Sequence, residues 1–368
     1  MRNTHAVINL KYLKENYLKI RNKVKGAKIM PVVKANAYGH GVEKIVLALN
    51  SLQNKPEYYA VGIVEEGIEL RKYEITQPIL IFEPVKKEQV KSIFEYNLIP
   101  TVFDNYHLGI LKNGELRDKI KIQINVNTGM NRLGINYNEA FELIKKVSAD
   151  KSFIIDGIYT HFATSDEKDK SFANIQLKRF KDLLTELKKS RIDFGLAHAA
   201  NSGAILDMPD SYLDIVRPGI SLYGYYPSFE TNESISLKPI MSIISKVDSF
   251  NRIEKGETVS YGRKFTADKT TNIVSVSIGY ADGYSRNLTN KSKAIINGKL
   301  YNQVGTVTMD RIMFNVNNDK INTGDEVILL GETNKLKFNA WDWAKILNTI
   351  PYEITCGISR RVPRLYIN

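Results

Sequence analysis

The chain has 368 residues, 43% of them hydrophobic and 25% charged, with a formal charge of +12. That length predicts two domains at ~150 residues each, and the lysines are too scattered for the dense basic stripe of a nucleic-acid surface, although their field favours an anionic ligand. The single cysteine, Cys356, excludes an internal disulfide and a thiolate metal cluster, and no run approaches the ~20 apolar residues of a membrane span. The N-terminal stretch has no apolar core of signal-peptide length, so a cytoplasmic enzyme or binding protein is expected.

Residues Asn9 to Lys25 place Leu10, Leu13, Tyr17, Ile20 and Val24 at helical spacing, predicting an amphipathic helix. Met30 to Val33 is a short β-branched run that reads as a buried strand. Lys34 stands at its carboxyl end, Asn36, Gly39 and Gly41 mark a turn, and GVEKIVLALN opens a helix. A lysine at the end of a buried strand loses water on several sides, which frees its amine as a nucleophile or base. Seven further apolar runs follow: Tyr59–Ile63, Ile79–Phe82, Ile99–Phe103, Ile120–Val126, Phe153–His161, Ile192–His198 and Leu213–Val216. Helical stretches such as 136–147 and 169–189 separate them. Eight such units predict a parallel (β/α)8 TIM-type barrel over residues 1–234. No GxGxxG turn follows the first strand, which argues against a doubly wound sheet. From residue 235 to 368 the texture turns β-rich, with a hairpin at Asn297-Gly298 and one helix near Phe338–Leu347. A mostly β C-terminal domain is expected there.

Functional side chains of such barrels sit at the carboxyl ends of the strands. Collecting those ends gives Lys34 and Tyr38, then Arg132 in NTGMNRLG, His161 in THFATSDE, His198, Asn201 and Ser202 in AHAANSG, and Arg217, Gly219 and Ile220 in VRPGISLYG. Phosphate sites favour the loops after strands seven and eight, where Ser202 and the amides near Gly219 and Ile220 fall. Taken singly these residues are commonplace: a core histidine, a helix cap, an ion-pair arginine. Together, a reactive lysine, phosphate donors and an arginine suit pyridoxal 5′-phosphate (PLP), which needs a partner for its aldehyde, its phosphate and its ring nitrogen.

At VVKANAYGHG, NTGMNRLG, THFATSDE, HAANSG, VRPGISLYG, VSYGRKFTA, SIGYADGY, MDR and RRVPR, in that order, the chain resembles bacterial alanine racemases over nearly its whole length. The resemblance implies a PLP-bearing barrel and a β domain in a head-to-tail homodimer with shared active sites, making D-alanine for peptidoglycan. It implies that Lys34 holds the PLP aldehyde, that Tyr38, Ser202, Gly219 and Ile220 bind its phosphate, and that Asn201 also belongs to the cofactor site. Arg217 would face the pyridine nitrogen, with His161 beside the ring, and Arg132 the cofactor hydroxyl and the substrate carboxylate. Tyr261 would reach into the partner's site as the second base opposite Lys34, and the Met309 amide would help to hold substrate.

Three positions depart from that pattern. Asn125 stands where many members carry a carbamylated lysine, and Asn127 replaces an aspartate. Two negative charges are thereby missing, and a bound anion such as chloride, or Asn125 itself, is expected to orient Arg132. Arg360 replaces a tyrosine that touches the phosphate in some members. Competing readings are a serine-type or broad-range racemase, a barrel-type PLP decarboxylase, a lone-barrel PLP-binding protein and a metal-dependent hydrolase. Arg217 opposes the decarboxylase, which puts an acid on the ring nitrogen. Tyr261 and the β-rich region oppose the lone barrel. The absence of an HxH pair with strand-end carboxylates opposes the hydrolase, so no metal is expected.

Overall fold

The computed structural model describes residues 3–112 and 119–368. The chain divides into two compact units: Lys14–Ala37 with Val42–Leu237, and the start of the chain through Leu13 with Tyr38–Gly41 and Lys238–Asn368.

The first unit is built on eight short parallel strands: β1 (Lys28–Ile29), β2 (Tyr59–Val61), β3 (Ile79–Ile81), β4 (Ile99–Val102), β5 (Ile120–Asn127), β6 (Phe153–Tyr159), β7 (Leu196–His198) and β8 (Ile215–Val216). Strands β2 to β7 pair in sequence order, and β8 pairs with β1. The ring closes through a parallel bridge of Val32 to Ala60 and through hydrogen bonds from Asp214 N to Ala197 O and Arg217 N to Ala200 O. Every residue of β2, β3 and β4 is buried. Helices cover the outer face of such a barrel, and strands buried on both sides become unbroken apolar runs, which is how they are read in the sequence. The Tyr17 and Ile20 side chains of the helix Leu10–Lys23 are fully buried. The expected barrel is therefore present, with most strands shorter than their apolar runs. Strand β5 runs one residue further, to Asn127, and β1 forms at Lys28–Ile29, ahead of the expected Met30–Val33, of which Val32 makes only a bridge.

The pairing of β5 with β6 is irregular. The two strands run in step to Ile122 opposite Ile155, and then Gln123 lies opposite Gly157. Asp156 is the extra residue, a β-bulge that re-aims a side chain.

The second unit is a largely antiparallel sheet. Glu326–Glu332, Lys293–Ile296, Lys299–Gln303, Ile312–Asn317, Thr271–Val276 and Met241–Ile253 pair in that order, and the last pairs back to the first. The sheet thus closes on itself and has few open edges. Asn297 (φ 46°) and Gly298 (φ 74°) form the expected hairpin turn, both with the positive φ of a type I′ turn. Two elements differ from expectation. His5–Asn9 is a strand, antiparallel to Met241–Ile253 and parallel to Arg364–Ile367. A second helix, Pro351–Gly357, follows Ala340–Leu347 where one was expected.

Candidate active site

Arg217 follows β8 and is only 2% exposed. Its guanidinium donates to His198 Nδ1 (2.5 Å), Thr160 O (2.8 Å) and Ala199 O (3.0 Å), and lies 3.4 Å from His161 Nδ1. The Tyr159 ring lies 5.3 Å from the guanidinium and stacks on His198 with centroids 4.9 Å apart. Arginine is a donor only, so His198 accepts at Nδ1 and carries its proton on Nε2. That proton goes to Gln123 Oε1 at 2.8 Å. Burial, reinforced by the Arg217 charge, pushes His198 well below the usual histidine range. His161 is pushed down to about 3 by burial and by the charges of Arg217, Arg132 and Lys34. Both rings are therefore neutral near neutral pH. Burial lowers Arg217 to about 10, so it stays charged.

A short helix, Ser202–Asp207, follows β7. Its cap is Asn201, whose Oδ1 accepts from Ala204 N (3.1 Å) and from Ser165 Oγ (2.7 Å). Ser202 Oγ is buried and accepts from Gly219 N (2.9 Å), Ser221 N (3.3 Å) and Ser221 Oγ (3.0 Å). The two lone pairs of the Ser202 oxygen are fully used by these donors, and its own proton remains to be donated. Ile220 opens the helical turn Ile220–Tyr223, so its N–H has no partner within that turn. The donor set suits a phosphate.

Lys34 begins a turn in which Ala35, Asn36, Ala37 and Tyr38 all have φ of 52–53°, a left-handed helical turn of four non-glycine residues. Glu66 holds its start: Oε1 accepts from Ala35 N (2.6 Å), and Oε2 from Gly62 N (2.7 Å) and Ile63 N (3.3 Å). Asn36 Oδ1 accepts from Val42 N at 2.8 Å. The expected burial of Lys34 is not met, because the strand ends before it and the left-handed turn leaves the residue exposed. Its charge acts on His161, as do those of Arg132 and Arg217, so these four residues share one end of the barrel.

Arg132 is exposed in a loop organised by Asn127, whose Oδ1 accepts from Gly129 N and Asn131 N, both at 3.0 Å. Asn125 hydrogen-bonds the Tyr159 hydroxyl, which also meets Thr101 at 3.2 Å. Its side chain is thus engaged with Tyr159.

Tyr38, Tyr261 and Met309 belong to the second unit. Tyr38 is buried with its ring 5.8 Å from that of Tyr352. Tyr261 is 76% exposed on the turn Tyr261–Arg263, and Thr306 Oγ1 donates to its carbonyl. Met309 is 51% exposed, and its carbonyl accepts from Ala281 N. Next to Met309, Asp310 Oδ1 meets the Arg361 guanidinium, which also meets Asp282 Oδ1. Among the described residues, no group of three His, Cys, Asp or Glu is placed to hold a metal ion.

Sequence reasoning places His198 at a strand end without a role, and misses Tyr159, Glu66, Gln123 and Asp156. A charged or amide residue inside an apolar strand run, as at Gln123 and Asp156, is the signal that could have found two of them.

Comparison with known proteins agrees with this geometry. Residues 8–227 match the family described as alanine racemase, N-terminal domain, and residues 240–366 match alanine racemase, C-terminal domain. Alanine racemase 2 of Caldanaerobacter subterraneus subsp. tengcongensis is 41% identical, over 100% of this chain and 95% of that protein. The solved alanine racemase of Clostridium difficile 630 superposes with a TM-score of 0.93 at 36% identity, covering 99% of this chain and 96% of that one. Its complex with cycloserine gives 0.91 at 35% identity, covering 100% and 96%. From both domain matches and the full-length relatives, the chain belongs to the alanine racemase family.

Proposed function

We propose that this protein interconverts L-alanine and D-alanine with PLP held at the mouth of the barrel, supplying D-alanine for peptidoglycan in the cytoplasm as a homodimer. Residues 1–234 form the cofactor-binding part in this reading, and residues 235–368 contribute to the partner's site. The observation that carries it is the buried, donor-only Arg217 between two neutral histidines, beside the Ser202 cradle and in the charge field of Lys34. A phosphorylated pyridine aldehyde suits the donors of the barrel unit: Lys34 for the aldehyde, Arg217 for the ring nitrogen, and Ser202, Gly219 and Ile220 for the phosphate. Tyr38 and Asn201 are assigned to the cofactor from the family resemblance.

When bound, PLP makes the Cα–H of a joined amino acid acidic. The chain's residues then have two tasks. Inversion needs one group to take the proton from one face of Cα and another to return a proton on the opposite face. Lys34 serves one face and the partner subunit's Tyr261 the other, each alternating between acid and base. Arg132 binds the substrate carboxylate, assisted by the amide of the partner subunit's Met309. Arg217 would face the ring nitrogen as a donor, with no proton of its own to give up. His198 and His161 stay neutral, so neither competes with Lys34 as an acid.

The test is borohydride reduction of the holoenzyme followed by peptide mass spectrometry, with racemisation assays on alanine, serine and larger amino acids. A pyridoxyl adduct on Lys34 and fastest turnover of alanine are expected. An adduct elsewhere, or none, removes the cofactor assignment. A Lys34 adduct without alanine racemisation removes the substrate assignment.

A further inference from the structure

A file of side chains runs from Arg217 through the barrel interior. Arg217 Nη1 donates to His198 Nδ1 (2.5 Å), His198 Nε2 to Gln123 Oε1 (2.8 Å), and Gln123 Nε2 to Asp156 Oδ2 (2.9 Å). The Tyr58 hydroxyl donates to the other carboxylate oxygen at 3.3 Å. Gln123 and His198 have no exposed surface, and Asp156 is the bulged residue of β6. A regular β6 would alternate its side chains and carry no extra residue at that point.

We propose that Asp156, acting through Gln123 and His198, is a positioning residue that fixes how Arg217 presents its donors at the barrel mouth. The two ends of the file have fixed polarity: the guanidinium only donates and the carboxylate only accepts. The two middle members do not, because an amide can turn over and an imidazole can move its proton. Only one arrangement satisfies both ends: His198 protonated on Nε2, and Gln123 with its oxygen toward His198. Without the carboxylate, the amide can reverse and set its NH2 against His198 Nε2. The ring proton then moves to Nδ1 and faces an Arg217 N–H. Two donors in contact force Arg217 away from its place. The inference rests on the reading that Arg217 serves the ring nitrogen.

The experiment compares wild type, Asp156→Asn, and the double variant Gln123→Glu with Asp156→Asn. In the double variant the carboxylate moves one place nearer His198 at unchanged net charge. The carboxylate introduced at position 123 accepts from Nε2, and the amide introduced at position 156 donates to that carboxylate. The readouts are the 15N spectrum of His198, in holoenzyme and cofactor-free protein, and kcat and KM for racemisation. Wild type is expected to hold the proton on Nε2. Asp156→Asn should shift it toward Nδ1 and lower kcat about tenfold, the scale of a lost outer-shell partner, with KM little changed. The double variant should restore the Nε2 proton and bring kcat back to within about threefold of wild type. A role confined to holding Tyr58 or the bulge would not be rescued by a carboxylate at position 123. An Nδ1 proton on wild-type His198 overturns the proposal with no variant needed. So does an unshifted His198 in Asp156→Asn, or a double variant as impaired as the single. The cofactor-free spectra are independent of PLP, so a missing Lys34 adduct would sink the functional reading without deciding this one.

Discussion

Arg217 sets the character of the site because its chemistry is one-sided. It donates to Thr160 O and Ala199 O, which hold the guanidinium in place. If Arg217 faces the ring nitrogen of PLP as proposed, it would leave that nitrogen unprotonated and make the ring a weaker electron sink than one paired with a carboxylate. In the proposed reading, charge would then stay nearer Cα, which would favour racemisation over transamination. Arg217→Glu reverses this. A glutamic acid there can also accept from His198, which would move the ring proton to Nδ1. The substitution is expected to raise the pyridoxamine phosphate formed per racemisation event at least about tenfold, measured by chromatography of the released cofactor. An unchanged ratio would mean that Arg217 does not govern the reaction's outcome. The same variant strands two buried carbonyls, at about 1–3 kcal/mol each, so its stability should fall as well.

The element that presents Lys34 is under backbone strain. Four successive residues in the left-handed region cost roughly 1–2 kcal/mol each, and such strain persists only where the surroundings over-determine it. Glu66 and Asn36 grip the start of this segment. At its end Arg364 donates to Gly39 O (3.0 Å), while also binding Ile358 O (2.6 Å) and Ser359 O (2.6 Å), and the Tyr366 hydroxyl meets His40 O. Gly39 has φ 82°, and a Cβ there would lie 2.1 Å from Thr355 O. Gly39→Ala should therefore destabilise by at least ~2 kcal/mol and lower the yield of the Lys34 adduct. Gly26→Ala, also at positive φ but with nothing within 4 Å of the new carbon, should cost only about 1 kcal/mol. Equal urea midpoints for the two variants would refute the clamp. None of this strain is legible in the sequence: KANAY carries no residue that demands a left-handed turn, and only Asn36 and the glycines after it signal a bend. The barrel strands are legible because burial on both faces writes them as apolar runs. The strand His5–Asn9 is not, since its partners lie more than 200 residues away, and neither is the helix Pro351–Gly357, too short to show a period. For the site, strand-end residues such as Arg217 and Ser202 can be collected from topology alone. The contacts of Gln123 with Asp156 depend on a one-residue bulge that no local pattern announces.

At the scale of the whole molecule, the residues proposed for proton transfer are divided between the two compact units, Lys34 in one and Tyr261 in the other. Tyr261, Met309 and Tyr280 are 76%, 51% and 44% exposed in the single chain. Large exposed side chains on one unit are the kind of surface that an interface covers. A shared site makes a quantitative prediction through symmetry. Lys34→Ala and Tyr261→Ala chains are each expected to be inactive alone. In a mixed dimer, one site loses both residues and the other keeps the lysine of one chain and the tyrosine of its partner. Random exchange of equal amounts gives half mixed dimers, each with one working site of two, so activity should recover to about a quarter of wild type in a two-fold symmetric assembly. The measurement is racemisation after subunit exchange, with exchange verified by native mass spectrometry of differently tagged chains. No recovery in a verified mixture would place Lys34 and Tyr261 of one working site in the same chain, and the division of labour between subunits would be wrong.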